Sequence, residues 1–384
     1  MNKIILSLIA LLLAFNNLPA QINVNDIDRE WVIPAADKFL NEKPSTITDY
    51  SSPRSAGGKH DFFSEGDYWW PDSTNPSGPY IQKDGMTNPE NFVMHRKVLM
   101  RLSIQVADLI AAYKITGDKK YALKAIEHLR AWFVNEETKM NPSLLYAQAI
   151  KGKFTGRGTG LIDTIHLIEV AQSIMILERS GVISASDLTA IKKWFADYLE
   201  WLTTHKYGLD EMSAKNNHGT CWVMQVAAFA RLTENEDKME FCRKRFKEVL
   251  LPVQMANDGS FPLEIKRTKP YNYSIFNLDA MSTICEILST EKDNLWNFTL
   301  PDGRNMKKGM EFMYPFLIDK SKWPFAKDVM HFDDFPVRQP SLLFCGIAYN
   351  EPKFIELWKK LNGHPDNEEV IRNYPVRQPI LWIN

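Results

Sequence analysis

The chain has 384 residues, 45% of them hydrophobic, enough to bury a large packed core. Its 46 Lys and Arg face 47 Asp and Glu, for a formal charge of −1. So balanced a chain carries no basic field for nucleic acid or an anionic membrane, and a polyanionic ligand has to be held by a local cluster.

Met1-Asn2-Lys3 leads into an apolar run, Ile4 to Phe15, that breaks at Asn16-Asn17-Leu18-Pro19-Ala20. A short positive start, an apolar stretch and a small residue before the cut describe a secretory signal, with cleavage expected after Ala20. The run is too short to span a bilayer, which takes about 20 apolar residues. No Cys adjoins the cut, so no membrane anchor is expected. The mature chain is expected to be exported from a bacterium, to the periplasm or beyond.

Residues 21–90 form an N-terminal segment, and from 44 onward Pro, Gly, Ser and Asn crowd it. It contains Asp67-Tyr68-Trp69-Trp70-Pro71-Asp72 and Asn75-Pro76-Ser77-Gly78-Pro79-Tyr80. A long irregular stretch in a compact domain is either functional or disordered, and this aromatic density argues against disorder. Tyr68, Trp69 and Trp70 are candidates to cover a substrate or to stack on sugar rings. Core packing of at least one Trp is the alternative.

Residues 91–384 read as helices and form a single domain with 21–90. Val98, Leu102, Val106, Leu109, Ile110 and Tyr113 recur at helical spacing up to Thr116-Gly117-Asp118, and a second helix follows through Tyr121, Leu129 and Phe133. The stretch from Leu161 to about Ser180 is apolar on nearly every side and belongs in an interior layer. A helix–turn–helix returns at Val223–Leu232 and Met239–Leu251, and a third trace runs from Ala348 to Leu361. Such hairpins bury their faces only by stacking, so the fold class is an all-α array, either a toroid or an open solenoid. Cys221, Cys242, Cys285 and Cys345 lack metal-ligand spacing and read as buried thiols, with a Cys221–Cys242 disulfide as the alternative. Phe335-Pro336-Val337-Arg338-Gln339-Pro340 is echoed by Tyr374-Pro375-Val376-Arg377-Gln378-Pro379, marking breaks between helices.

The chemistry concentrates in Asn216-Asn217-His218-Gly219 and, fifty residues on, in Arg267 to Tyr273. These offer amide donors, an imidazole, a fixed cation and phenols, without a metal-ligand set or a need for a cofactor. The C5 proton of a uronic acid becomes removable when donors or cations stabilise charge developing on the adjacent carboxylate. A base then takes that proton and an acid protonates the O4 leaving group. Asn217, His218 and Arg267 suit the first task, and Tyr273 the second. A phenol's ordinary pKa of about 10 calls for a nearby cation, and Arg267 is placed to supply it. Separately, each has a plainer role: an N-cap for Asn216 or Asn217, a structural His, a surface Arg, a core Tyr.

Together these segments, with Gly156-Arg157-Gly158-Thr159-Gly160 and the Tyr-Trp-Trp-Pro-Asp loop, resemble the alginate lyase superfamily, polysaccharide lyase families five and thirty-eight. The resemblance spans roughly residues 30–350 and implies an (α/α) toroid, an incomplete barrel of hairpins behind the irregular N-terminal region. It implies that Asn217, His218 and Arg267 surround the substrate carboxylate while Tyr273 is the catalytic acid and base. Asn272 stands where the family has His before the catalytic Tyr, and the Arg-to-Tyr spacing is one shorter, so Tyr271 competes with Tyr273. Arg157, Asn216, Tyr271 and Arg338 join the aromatic trio as substrate-binding candidates.

Mannuronate and glucuronate present the C5 proton and O4 on one side, so a single Tyr can serve a syn elimination; guluronate and iduronate favour a separate base, such as His218. The expected activity is metal-independent lysis of an acidic polysaccharide, polymannuronate (alginate) or glucuronan, leaving a 4,5-unsaturated end. Two other functions compete. A toroidal glycoside hydrolase would pair Asp72, Asp84 or Asp163 with Glu264. A non-catalytic uronan-binding protein would keep the cleft without turnover.

Overall fold

The computed structural model describes residues 23–383, so the expected signal at 1–20 lies outside the described residues. Helix α1 (Val24–Phe39) packs on α2 (Met94–Thr116), which pairs with α3 (Lys119–Phe133). The α2–α3 boundary falls where the sequence puts it. Gly117 takes the left-handed conformation (φ 72°) that ends α2, and the Asp118 carboxylate accepts from Lys120 N to start α3.

The hairpin is repeated by α4 (Leu167–Ser180) with α5 (Ala185–Thr204) and, after the short α6 (Lys206–Met212), by α7 (Asn217–Leu232) with α8 (Glu236–Arg245). It continues past α9 (Leu251–Gln254) and α10 (Pro262–Ile265) to α11 (Pro270–Leu288) with α12 (Met306–Ile318). Next come α13 (Pro340–Ala348) with α14 (Pro352–Lys360), and then α15 (Glu368–Arg372). Helices α2, α4, α7, α11 and α13 pack in succession as the inner layer, and their partners lie outside, giving the (α/α) toroid. Burial follows this layering: α11 is buried along almost its whole length, and α14 only at Phe354 and Trp358.

Two helices depart from the sequence reading. The stretch from Leu161 is not one helix; a 3-10 segment, Gly158–Thr164, meets α4 at 46°. The Thr164 hydroxyl lies 3.1 Å from the Leu161 carbonyl, a local bond that competes with the helical ladder. Met239–Leu251 is two α-helices joined by a π segment, Phe246–Leu250, just before Pro252, which cannot donate to the ladder.

The irregular N-terminal region carries short strands that the sequence did not announce. Strand β1 (Phe63–Glu65) pairs in parallel with β4 (Tyr146–Ala149), and β2 (Trp69–Trp70) pairs antiparallel with β3 (Ile81–Gln82). They hold this region over one end of the toroid. The echoed segments do break between helices: Pro340 opens α13, Pro379 opens a final 3-10 turn, and the Tyr374 hydroxyl donates to the Arg338 carbonyl. That last turn packs on α1, α2 and α4. The four cysteines are buried free thiols, so the Cys221–Cys242 disulfide is not formed. Among the described residues no single helix is long and apolar enough to cross a membrane.

Candidate active site

Asn217 and His218 open α7. Asn216 is the N-cap residue in extended backbone, but its side chain makes no cap bond; its carbonyl instead accepts from Gln254 Nε2 at 3.1 Å. Gly219 is demanded by the tight entry, since a Cβ there would come within 2.2 Å of the Ala214 carbonyl. Glu264, at the end of α10, accepts from Asn217 N at 2.6 Å and Asn217 Nδ2 at 2.7 Å, fixing both the helix start and the amide plane. Burial pushes the Glu264 carboxyl up despite these bonds. Glu211 on α6 lies 2.6 Å from His218 Nδ1. An imidazole that gives its Nδ1 proton to a carboxylate keeps Nε2 for a ligand.

Tyr273 stands in the first turn of α11, whose free N–H groups at Tyr271 and Asn272 donate to the Asp328 carboxylate at 2.8 and 2.9 Å. Its hydroxyl is 2.9 Å from that of Tyr68, and the Arg267 guanidinium lies 4.8 Å from its ring centroid. Burial pushes the Tyr273 phenol well above its ordinary value; the Tyr68 contact adds to this and Arg267 opposes it. Arg267 is held by Asp84, with Nη2 to Oδ1 at 2.9 Å and Nε to Oδ2 at 3.3 Å.

Asn217, His218, Arg267, Tyr273, Tyr68, Trp69 and Arg157 thus ring one cavity of about 100 Å³. Arg157 is forked onto Gln148, donating to its carbonyl at 3.0 Å and to its Oε1 at 2.9 Å. Gln148 sits in the left-handed region (φ 48°), a strained backbone of the kind found where a side chain is aimed at a site.

Other candidates lie elsewhere. Tyr271 is fully buried, donates to the Phe316 carbonyl at 2.9 Å and packs against Trp323 and Phe332, so it does not compete with Tyr273. Arg338 pairs with Asp28 at 2.6 Å and covers the Trp358 ring, away from the cavity. Trp70 points to the other side of its strand from Trp69 and donates to the Met86 carbonyl, and Asn216 stays at the helix cap. Asn272 is fully buried and its amide makes no hydrogen bond among the described residues.

The carboxylates considered for hydrolysis do not pair across the cavity. Asp72 caps a turn through Thr74, Asp163 is buried against Arg96, and Glu264 holds Asn217. Of these four, Asp84 alone lines the cavity, and it is tied to Arg267; Asp67, which also lines it, is tied to Arg96 and Arg372. Sequence reasoning missed Glu211, Gln148, Arg372 and Asn373 altogether. Arg372 ends α15 and belongs to a buried network: it reaches Asp67 at 2.9 Å and Glu369 at 3.2 Å, Arg96 reaches Asp67 at 2.5 Å, and Lys269 reaches Glu369 at 2.8 Å. Lys269 Nζ also lies 5.3 Å from the Tyr68 ring centroid. Nothing in the spacing of these residues could have announced the network. Among the described residues no three His, Cys, Asp or Glu side chains converge as a metal-ligand set.

A helical toroid whose cleft gathers a phenol, a guanidinium, an imidazole and an amide is the architecture of an acidic-polysaccharide lyase. The family model for alginate lyase matches residues 46–323. The structure of an alginate lyase from Bacteroides ovatus is 32% identical, with 94% of each chain covered and a TM-score of 0.82. The chain belongs to the alginate lyase family and is a polysaccharide lyase. Alginate lyase A1-III from Sphingomonas species A1 shares the fold at 13% identity and a TM-score of 0.53, over 92% of this chain and 94% of that one. A variant of A1-III solved with a tetrasaccharide is 12% identical over the same shares, with a TM-score of 0.56. No curated protein matches the chain by sequence.

Proposed function

We propose that this enzyme cleaves alginate at mannuronate linkages by syn β-elimination. The observation that carries the reading is the single cavity in which the Tyr273 phenol, under Arg267 and beside Tyr68, faces Asn217 and His218. In the proposed step Asn217, His218 and the Nη1 edge of Arg267 hold the uronate carboxylate. The Tyr273 phenolate takes the C5 proton, C4=C5 forms, C4–O4 breaks, and the same proton passes to O4. One proton moves from C5 to O4, and the phenolate is regenerated. Protein donors supply the carboxylate neutralisation, so turnover is expected to survive a chelator.

Ligand sites typically enclose about 300–1,000 Å³. The cavity of about 100 Å³ is smaller than that, and Tyr68 helps to narrow it through its 2.9 Å contact with Tyr273. Polymannuronate should yield new ultraviolet absorbance from the unsaturated end, and no signal on any uronan from folded enzyme would sink the reading. A signal on glucuronan instead would keep the mechanism and change the C2 epimer.

The pH dependence has a definite sign. The active base is the ionised phenol, and burial holds its pKa above the working range. The ionised fraction therefore grows roughly tenfold per pH unit, and kcat/KM should climb with pH through the neutral region. A profile flat across the neutral region would remove the ionised Tyr273 phenol as the base.

Export is also proposed, on the strength of residues 1–20. Sequencing of the secreted protein should begin at Gln21, and an intact Met1 would refute it.

A further inference from the structure

A second cavity, about 420 Å³, lies beside the reaction cavity and is lined by Arg54, Glu65, Lys151, Lys153 and Phe154 among others. Its volume falls in the range of small-molecule sites, about 300–1,000 Å³. Its wall is a tight turn closed by the bridge between Ile150 and Phe154. Gly152 permits the turn at φ 76°, where a Cβ would also strike Pro79 Cα at 2.9 Å, and Tyr80 N donates to the Lys151 carbonyl at 3.1 Å. The turn is therefore docked rather than loose.

Its side chains are arranged for an anionic sugar. Lys151 Nζ lies 5.5 Å from the Tyr80 ring centroid and Lys153 Nζ 4.7 Å from that of Trp69, and among the described residues neither pairs with a carboxylate. Glu65 Oε2 accepts from Arg54 at 2.5 Å and from Phe92 N at 2.7 Å, which offsets its charge at the cavity wall. Phe154 presents an apolar face that is 56% exposed, as sugar-stacking residues must be. Lys153 lines this cavity while resting on Trp69, which lines the reaction cavity, so this contact joins the walls of the two.

We propose that this cavity is a remote subsite for another uronate of the same polymer, its carboxylate held by Lys151 and Lys153 and its ring seated on Phe154. The inference rests on the proposed action on a uronan. It gives the enzyme a grip on long chains that the catalytic cavity alone lacks.

The test is the double variant Lys151→Ala/Lys153→Ala, both sites being exposed, assayed on oligomannuronates of defined length and on polymer. KM for the polymer is expected to rise about tenfold, from two lost charge contacts, and KM for a trisaccharide by less than about twofold. An unchanged KM on polymer, or an equal rise on both, would overturn the subsite. Calorimetric binding of polymannuronate to Tyr273→Phe, with and without the two lysines, reads the subsite without turnover. If no uronan is cleaved but the lysines still govern binding, the proposed cleavage of a uronan has failed and the subsite stands; if cleavage proceeds and binding ignores them, the reverse holds.

Discussion

Tyr273→Phe is expected to lower kcat by about 10²–10⁴-fold, the usual worth of a positioned acid–base group. The ring stays in its buried slot above Arg267, so packing is kept. What is lost is the hydroxyl and its 2.9 Å bond to Tyr68, worth about 1 kcal/mol of stability. KM should move little, because Asn217, His218 and Arg267 remain. Tyr271→Phe is the matched control. It removes the hydroxyl that donates to the Phe316 carbonyl inside the core, so it should cost stability and leave kcat near wild type. Comparable rates for wild type and Tyr273→Phe on polymannuronate would remove Tyr273 from the chemistry.

Asp67→Asn is expected to produce the largest loss of stability near the site, about 3–5 kcal/mol, the cost of breaking a buried ion pair from one side. Asp67 lies between Arg96 and Arg372, and its neutralisation leaves the two buried guanidinium groups with only Asp163 and Glu369 as carboxylate partners. Burial raises the Asp67 carboxyl, but Arg372 and Arg96 together outweigh it, and its pKa falls far below the ordinary value. A depressed folded pKa stabilises above the unfolded value, about 3.9, and that stability drains away as pH falls below it. Thermal melts of the wild type should therefore lose stability steeply from pH 4 downward, while Asp67→Asn starts lower at pH 7 and falls less. Since Tyr68 is the next residue, kcat/KM should drop as well. Equal melting temperatures for the two proteins at pH 7 would show that the network carries no net stability.

The legible parts of this protein were those with local causes. The end of α2 at Gly117 and the start of α3 at Asp118 follow from a left-handed cap and a side-chain cap, both readable in three residues. The Asn-Asn-His run could be read because three polar groups at the mouth of an apolar helix exceed what one cap needs. Tyr271 and Tyr273 could not be separated in sequence. Two residues on a helix stand roughly 200° apart, so one had to face inward and the other away, but the phase of α11 is set by its packing on α7 and α13. Trp69 and Trp70 repeat the lesson on a strand, where neighbours take opposite faces. Arg338 looked like a subsite because Arg reads as free until its partner, Asp28, 310 residues away, is seen.

The sequence by itself determined that this chain is a helical array, because periodicity and caps act over a few positions, while the grouping of a phenol, a cation and an Asn-His pair was legible only together with the family resemblance. The tertiary structure alone decided which phenol reaches the cavity, and that Asp84, Glu264 and Glu211 hold the reactive groups rather than hydrolyse. It alone assembled Asp67, Arg96, Lys269, Glu369 and Arg372 beneath Tyr68. Buried charges can be tolerated only in pairs, and pairs drawn from distant segments exist only once the toroid has closed.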